Sequence, residues 1–422
     1  MHLIVYNQTY EKLYFYSSDG DNRRSGTCLP ASSCKGVTLA AHRLHISRVS
    51  EQEKTPSEVT AVRIPRSLCA WKLLSGLDSS PWVAYYRRPG RKRCYLALIP
   101  RRDPSCFLKS IPDTVPLSSL MLPGTHETMA LYGWPITQCQ STALDTQLNS
   151  GIRVIDIRLA INGDQLISFH GIVSQHAPFS DILHQLHAFL TAPSTCSETV
   201  VVSLKQEDDD TRRFPHLVRE EIMKSPGGLD MWYLEDRIPN LGEVRGKAVM
   251  FSRFGGDGWK HGAVGIHPPI WPDSARLGFS WDCKGSIVRT QDWYAIPSFL
   301  SIPEKVETCT EILVAPEDFP SPVLSISFLS ASSLPFALPP LIALGLGWPN
   351  LKLGFEGVNS RVGKWLLERL TGTASGLARN SDARPRIRGW ALMDFYDDPA
   401  GVVPLFIECN FRGRKVGEEG WI

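Results

Sequence analysis

Two hydrophobic rhythms divide this chain. Over residues 1–112, short β-branched and aromatic runs recur with Gly, Ser or Pro between them: LIVYNQTYEKLYFYS, GVTLAAHRLHISRV, TAVRIP and WVAYYRRPGRKRCYLALIP. Such runs read as strands, and the last is a hairpin with Pro89-Gly90 at its turn. They predict a small all-β, sandwich-like N-terminal domain, with IPRRDPSCFLKSIPDTVPL as the linker. Over residues 113–422 the rhythm changes to apolar runs separated by amphipathic ones. SSLML, VIDIRL, LISFH, TVVVSLK, KAVMFSRF, IVRTQDW, VLSISFLS and GWALMDF are the predicted strands. SDILHQLHAFLTA is a helix with Ser180 as N-cap and Asp181 in its first turn. NSRVGKWLLERL is another, with Leu366, Leu367 and Leu370 on one side. Eight apolar strands with crossovers predict an α/β fold, a (β/α)8 TIM barrel, irregular near 255–285 where helix signals are sparse.

Length agrees with that division, since 422 residues exceed what one core commonly holds. The net charge of +2 conceals an uneven spread. Residues 1–115 carry 18 Lys/Arg against 9 Asp/Glu, a balance of +9, so the remainder carries 27 against 34, a balance of −7. A basic front points to an anionic surface as its partner, with ordinary solvated charge as the alternative. Its densest point is RRPGRKR, residues 87–93. The ten cysteines form no CxxC pair, which leaves metal ribbons and thioredoxin-like sites unsupported. MHLIVYNQTYEKLYFY lacks the basic and apolar regions of a secretory signal. The expectation is a cytoplasmic protein with reduced thiols, peripheral at membranes. Residues 319–351 carry no charge, yet six prolines interrupt them, so a spanning helix is not expected.

The ends of the predicted strands carry the chemistry. His126 and Glu127 follow SSLML in LPGTHET; Asp156 and Arg158 lie in VIDIRL; His170 ends LISFH. Lys205, Arg253, Asp292 with Tyr294, and Asp394 end four more. The opposite ends carry turn residues such as Gly151, Gly246 and Gly389. In a barrel, loops at the carboxyl ends of the strands converge on one mouth, so this polarity predicts an enzyme. Two histidines let one take a proton while the other gives one. An arginine fork suits a phosphate, and together they suit cleavage of a phosphodiester without a metal.

LPGTHET, GIRVIDIRL, FHG and ETVVVSLKQE, in that order, resemble the X region of phosphatidylinositol-specific phospholipase C in its bacterial-type, single-barrel form. RGKAVMFSRF, QDWY, SFLSASS and GWALMDF continue the likeness to about residue 412. The resemblance implies that phosphatidylinositol is cleaved to diacylglycerol and inositol 1,2-cyclic phosphate. His126 would be the general base steadied by Asp394, and Arg158, set by Asp156, would stabilise the phosphate. His170 would be the general acid, and Lys205, Arg253, Asp292 and Tyr294 would hold the inositol ring. The family places aspartate where this chain has Glu127, so the longer side chain is expected to hold His170 from a different reach. Arg158 stands where calcium lies in other branches, which implies no metal and no cofactor. The resemblance also implies a rim that dips into lipid, with Trp134, Phe336, Leu338, Leu341, Ile342 and Trp348 as anchors. The alternative for that apolar loop is packing against the N-terminal domain. Rival functions are a metal-dependent phosphodiesterase of the glycerophosphodiester or sphingomyelinase D kind, and a catalytically silent lipid-binding barrel. No nucleic-acid partner is expected.

Overall fold

The computed structural model describes residues 2–17, 26–38, 43–49, 59–77, 79–209, 212–255, 264–316, 322–347, 354–372 and 386–422. The first hundred residues carry β1 (His2–Asn7), β2 (Leu13–Ser17), β3 (Thr27–Leu29), β4 (Ser33–Thr38), β5 (Arg43–Arg48), β6 (Thr60–Arg63), β7 (Cys69–Leu73), β8 (Trp82–Arg88) and β9 (Cys94–Pro100). They form two sheets, ordered β4-β1-β9-β8-β7 and β3-β2-β5-β6. Strand alternation gives the first sheet two apolar faces. Ala84, Tyr86, Leu96 and Leu98 join Leu13, Phe15, Leu44 and Ile46 in one core. Tyr85, Ala97 and Ile99 point the other way, into the core of the larger region.

That region holds β10 (Met121–Thr125), β11 (Val154–Asn162), β12 (Gln165–His170), β13 (Val173–Pro178), β14 (Val200–Gln206), β15 (Trp232–Tyr233), β16 (Ala248–Arg253), β17 (Phe279–Cys283), β18 (Ser286–Gln291), β19 (Val323–Phe328), β20 (Gly345–Leu346), β21 (Phe355–Glu356) and β22 (Gly389–Met393). Its helices are α1 (Leu144–Asn149), α2 (Phe179–Thr191), α3 (Arg213–Lys224), α4 (Leu241–Val244), α5 (Ile302–Glu311), α6 (Pro339–Leu344), α7 (Val358–Thr371) and α8 (Val402–Cys409). The main sheet runs β15-β16-β14-β11-β10-β22-β19-β18, all neighbours parallel, with β17 antiparallel beyond β18. The sheet curls, because Phe251 of β16 lies 6.0 Å from Trp390 of β22 and 6.4 Å from Trp281 of β17. Mixed α/β architecture around a curled parallel sheet therefore holds.

One strand assignment is corrected. LISFH is the antiparallel partner of β11, with Asn162 opposite Gln165 and Leu159 opposite Ser168. Only Gly163 and Asp164 separate the two strands, and a two-residue link permits no parallel crossover. Its place in the parallel set is taken by β15, two residues long and too short to leave a period in the sequence. Helix α2 starts at Phe179 with Pro178 at the N-cap, ahead of the expected Ser180. The expected linker is ordered, with a helical turn over Pro104–Ser110. Around 255–285, residues 264–278 contain no helix, and the rest of that interval before 264 lies outside the described residues from 256 on.

Candidate active site

The loop after β10 is built by the motif itself. At Gly124 a Cβ would come within 2.8 Å of the Val154 carbonyl, so β10 meets β11 closely only because a glycine stands there. Thr125 and Thr128 share a hydroxyl contact of 2.9 Å, and Thr128 Oγ1 accepts the Asp156 amide at 2.8 Å. Glu127, between them, is forced to φ 45°, the left-handed region. Gln140 donates to the carbonyls of both His126 and Met393 at 2.8 Å, closing the loop over β22.

These contacts bring His126 Nδ1 to 2.8 Å from Asp394 Oδ1 and His126 Nε2 to 2.8 Å from Arg158 Nη2. An arginine can only donate, so Nε2 carries the lone pair and Nδ1–H faces the carboxylate. Burial lowers the basicity of His126, but Asp394 overrides it and the net shift is upward. Arg158 is ringed by carboxylates: Glu127 Oε1 at 2.5 Å, Asp156 Oδ2 at 3.2 Å and Glu207 Oε1 at 3.5 Å. Asp156 is buried, yet Arg158 and Arg253 hold its carboxyl far below the usual range, while burial pushes the Glu127 carboxyl up. Asp156 also accepts from Ser203 Oγ at 3.0 Å and from the Glu127 amide at 3.3 Å. His170 donates Nδ1–H to the Thr137 carbonyl at 2.7 Å, and its Nε2 stands 3.8 Å from Glu127 Oε1. That separation exceeds a hydrogen bond but lies within ion-pair reach, so Glu127 faces His170 more loosely than a hydrogen bond would hold it. The carboxylate is drawn to the nearer guanidinium instead.

His126, Arg158, His170, Lys205, Arg253, Asp292, Tyr294 and Asp394 line one cavity of about 600 Å³, with Glu127 and Asp156 buried beneath it. The predicted catalytic and ring-holding groups are thus brought together. Lys205 donates to Glu207 at 2.6 Å, and Trp271 Nε1 donates to Asp292 at 2.9 Å. Arg253 lies over the Trp271 ring at 3.9 Å, its Nε and Nη1 buried without a hydrogen-bond partner among the described residues. Buried donors of that kind call for a partner. Tyr294 donates its hydroxyl to Asp273, which pushes the phenol up to about 12.

Sequence reasoning passed over Thr128, Cys139, Glu207 and Trp271. Thr128 and Glu207 sit inside motifs already singled out, LPGTHET and ETVVVSLKQE, so a signal existed. Trp271 lies in IHPPIWPD, which has no strand or helix period, and only folding brings it to Arg253.

The expected rim divides. Trp134 and Phe336 are each 62% exposed, whereas Leu338 and Leu341 are half-buried. Ile342 is 1% exposed, because α6 turns it into the main core; it is no anchor. Trp348 lies outside the described residues. Near the cavity, Tyr132, Ile136, Ile172, Ile270 and Leu334 are also exposed. No helix among the described residues is long and apolar enough to cross a membrane. The basic turn lies elsewhere. Arg87 pairs with Glu368 at 2.7 Å, nine residues along α7 from Asn359, which donates to the Asp394 carbonyl at 2.8 Å. Nine helical residues span about 13 Å, so the turn sits toward the opposite end of the curled sheet from the cavity.

The profile of the family described as phosphatidylinositol-specific phospholipase C, X domain, matches residues 114–254. A 1-phosphatidylinositol phosphodiesterase of Listeria monocytogenes is 30% identical over 244 residues, 54% of this chain and 69% of that protein. One of Staphylococcus aureus is 28% identical over 247 residues, 55% of this chain and 77% of its own. Solved structures of the phosphatidylinositol-specific phospholipases C of S. aureus and L. monocytogenes share the fold. Their TM-scores are 0.57 and 0.53 at 24% and 23% identity; each match covers 73% of this chain and 98% or 99% of theirs. The chain belongs to the phosphatidylinositol-specific phospholipase C family.

Proposed function

We propose that this protein is a phosphatidylinositol-specific phospholipase C that releases diacylglycerol and inositol 1,2-cyclic phosphate. The curled sheet is read as an irregular (β/α)8 barrel whose mouth holds the reaction. One observation carries the reading: His126, backed by Asp394 at 2.8 Å, directs its Nε2 lone pair at the space beside Arg158. In the reaction the inositol 2-hydroxyl takes the place of the guanidinium at Nε2 and gives up its proton there. Its oxygen attacks phosphorus, and the bond to the diacylglycerol oxygen breaks. Arg158, oriented by Asp156 and Glu127, neutralises the charge on the phosphoryl oxygens. His170, with Nδ1–H spent on Thr137, carries its transferable proton on Nε2 and delivers it to the departing oxygen, with the Glu127 carboxylate 3.8 Å away. Lys205, Arg253 and Asp292 hold the ring hydroxyls, and Tyr294 lies against the ring.

The metal-independent route is supported by where the carboxylates point. Glu127, Asp156 and Glu207 converge on Arg158, so a cation at that position would have to displace the guanidinium. Trp134 and Phe336, with Leu338 and Leu341 behind them, form the lipid-facing rim. Residues 1–112 are read as a sandwich-like domain whose basic turn, remote from the mouth, meets an anionic partner other than the bilayer under the rim. The test is turnover of phosphatidylinositol vesicles in excess EDTA. Activity is expected to persist, and to vanish in His126→Ala and His170→Ala. An obligatory metal, or full activity in either variant, overturns the reading.

A further inference from the structure

Cys139 is a buried thiol that the proposed reaction leaves without a task. It lies beneath both imidazoles, with Sγ 3.8 Å from His170 Nδ1. Its backbone is pinned on both sides: the amide donates to Ala130 at 2.9 Å, and the carbonyl accepts from Phe395, next to Asp394, at 2.7 Å. The sulfur, a ring nitrogen of His126 and a carboxylate oxygen of Asp394 all lie within 4.8 Å of one another. Thiolate, imidazole and carboxylate form a donor set that zinc takes, at about 2.3, 2.0 and 2.1 Å. In a tetrahedron those bond lengths place donors roughly 3.3–3.6 Å apart, so the sulfur has to approach by about 1 Å while His126 and Asp394, now 2.8 Å apart, open slightly. The fourth position faces the cavity that His126 and Asp394 line, which is also the way in. The nearby charge of Arg158 opposes a cation, but three carboxylates already surround it.

We propose that Cys139, His126 and Asp394 form an inhibitory site for a thiophilic divalent cation, zinc. Binding exchanges the thiol proton for the metal and releases it to solvent. It also separates His126 from Asp394 and occupies an imidazole nitrogen, so the base is lost while the ion stays bound. Oxygen-seeking ions such as magnesium gain little from a thiolate and an imidazole, so they do not compete there.

Inhibition as a readout rests on the proposed phospholipase activity; binding does not. The full chain is titrated with zinc chloride while turnover of phosphatidylinositol vesicles is followed, alongside Cys139→Ala and Cys139→Ser. Cobalt(II) serves as a spectroscopic stand-in. The wild-type chain is expected to lose activity with zinc, recover it with EDTA and ignore magnesium. Both variants keep basal activity and require at least about 100-fold more zinc, since losing a direct ligand costs more than losing an outer partner. A thiolate-to-cobalt charge-transfer band appears in the wild type and shrinks in the variants, which sets this site apart from binding at exposed Cys28, Cys34 and Cys196. Equal zinc sensitivity in all three chains overturns the proposal, as does an identical cobalt spectrum. A cobalt band that depends on Cys139 in a chain without phospholipase turnover upholds the site and overturns the activity instead.

Discussion

Two arginines five residues apart, one just before β11 and one within it, lead opposite lives. Arg153, immediately ahead of β11, is wholly buried and spends its donors fully. It reaches Glu198 at 2.9 Å and the carbonyls of Leu148, Ile152, Pro104 and Ser105 at 2.7–3.1 Å. Glu198 in turn accepts the amides of Leu108 and Lys109, so the pair fastens the segment between the two regions to the amino-end floor of the curled sheet. Arg158, farther along β11, touches three carboxylates and an imidazole yet borders an open cavity. One end of the strand is closed and satisfied; the other is crowded with charge that a phosphate can rearrange. The difference assigns stability to the floor and chemistry to the mouth.

Substitutions at the two ends break that comparison in opposite ways. His126→Ala and Arg158→Met at the mouth are expected to lower kcat by about 10²–10⁴-fold, as loss of a base or of transition-state charge stabilisation does. Circular dichroism melting should leave both folded. Arg153→Met strands Glu198 in the core and should cost roughly 3–5 kcal/mol by urea unfolding. The same substitution leaves kcat near wild type at temperatures where the chain is folded. If Arg153→Met abolished activity in folded protein, the division between the ends would fail.

A smaller effect is expected at Glu127. Glu127→Gln removes charge beside His170 and from the grip on Arg158, and should cut kcat by about 10–100-fold. If the loss falls on the general-acid step, a substrate with an aryl leaving group, which needs little protonation, recovers most of it. An equal loss on both substrates would place Glu127 with Arg158 alone. The pH profile sharpens the same point. Asp394 holds the pKa of His126 above its ordinary value, so the base is neutral, and the enzyme active, only above that raised pKa. Asp394→Asn lets burial dominate, and the acid limb of kcat/KM moves to lower pH while the plateau falls. A limb that moves upward, or stays put, contradicts the pairing. The smallest effect is at the rim. Trp134→Ala and Phe336→Ala should raise KM on vesicles several-fold and leave hydrolysis of soluble inositol 1,2-cyclic phosphate unchanged.

How much of this was legible in the residues varies with the kind of signal. The site was readable because each group sits at the end of an apolar run, where strand and loop meet. His126, Arg158, Lys205 and Asp394 needed only that positional rule. Ile342 was misread because an uncharged, proline-broken run cannot say which of its members face outward; α6 buries that side chain while Phe336, a few residues earlier, stays exposed. His170 was placed near the site, although its strand is the return arm of a hairpin set by Gly163 rather than a member of the parallel set. Nor could the reach of Glu127 be read. Whether one methylene brings a carboxylate to an imidazole or to a guanidinium depends on the φ of its own backbone and on neighbours far along the chain.

Phosphorus NMR of the products formed from phosphatidylinositol vesicles addresses the pairing of His126 and His170 across Arg158 most directly. The account predicts that the resonance of a cyclic inositol phosphodiester appears first and that a monoester grows later at its expense. A monoester that forms from the outset, with no cyclic species preceding it, would contradict attack by the 2-hydroxyl and with it the roles given to both histidines.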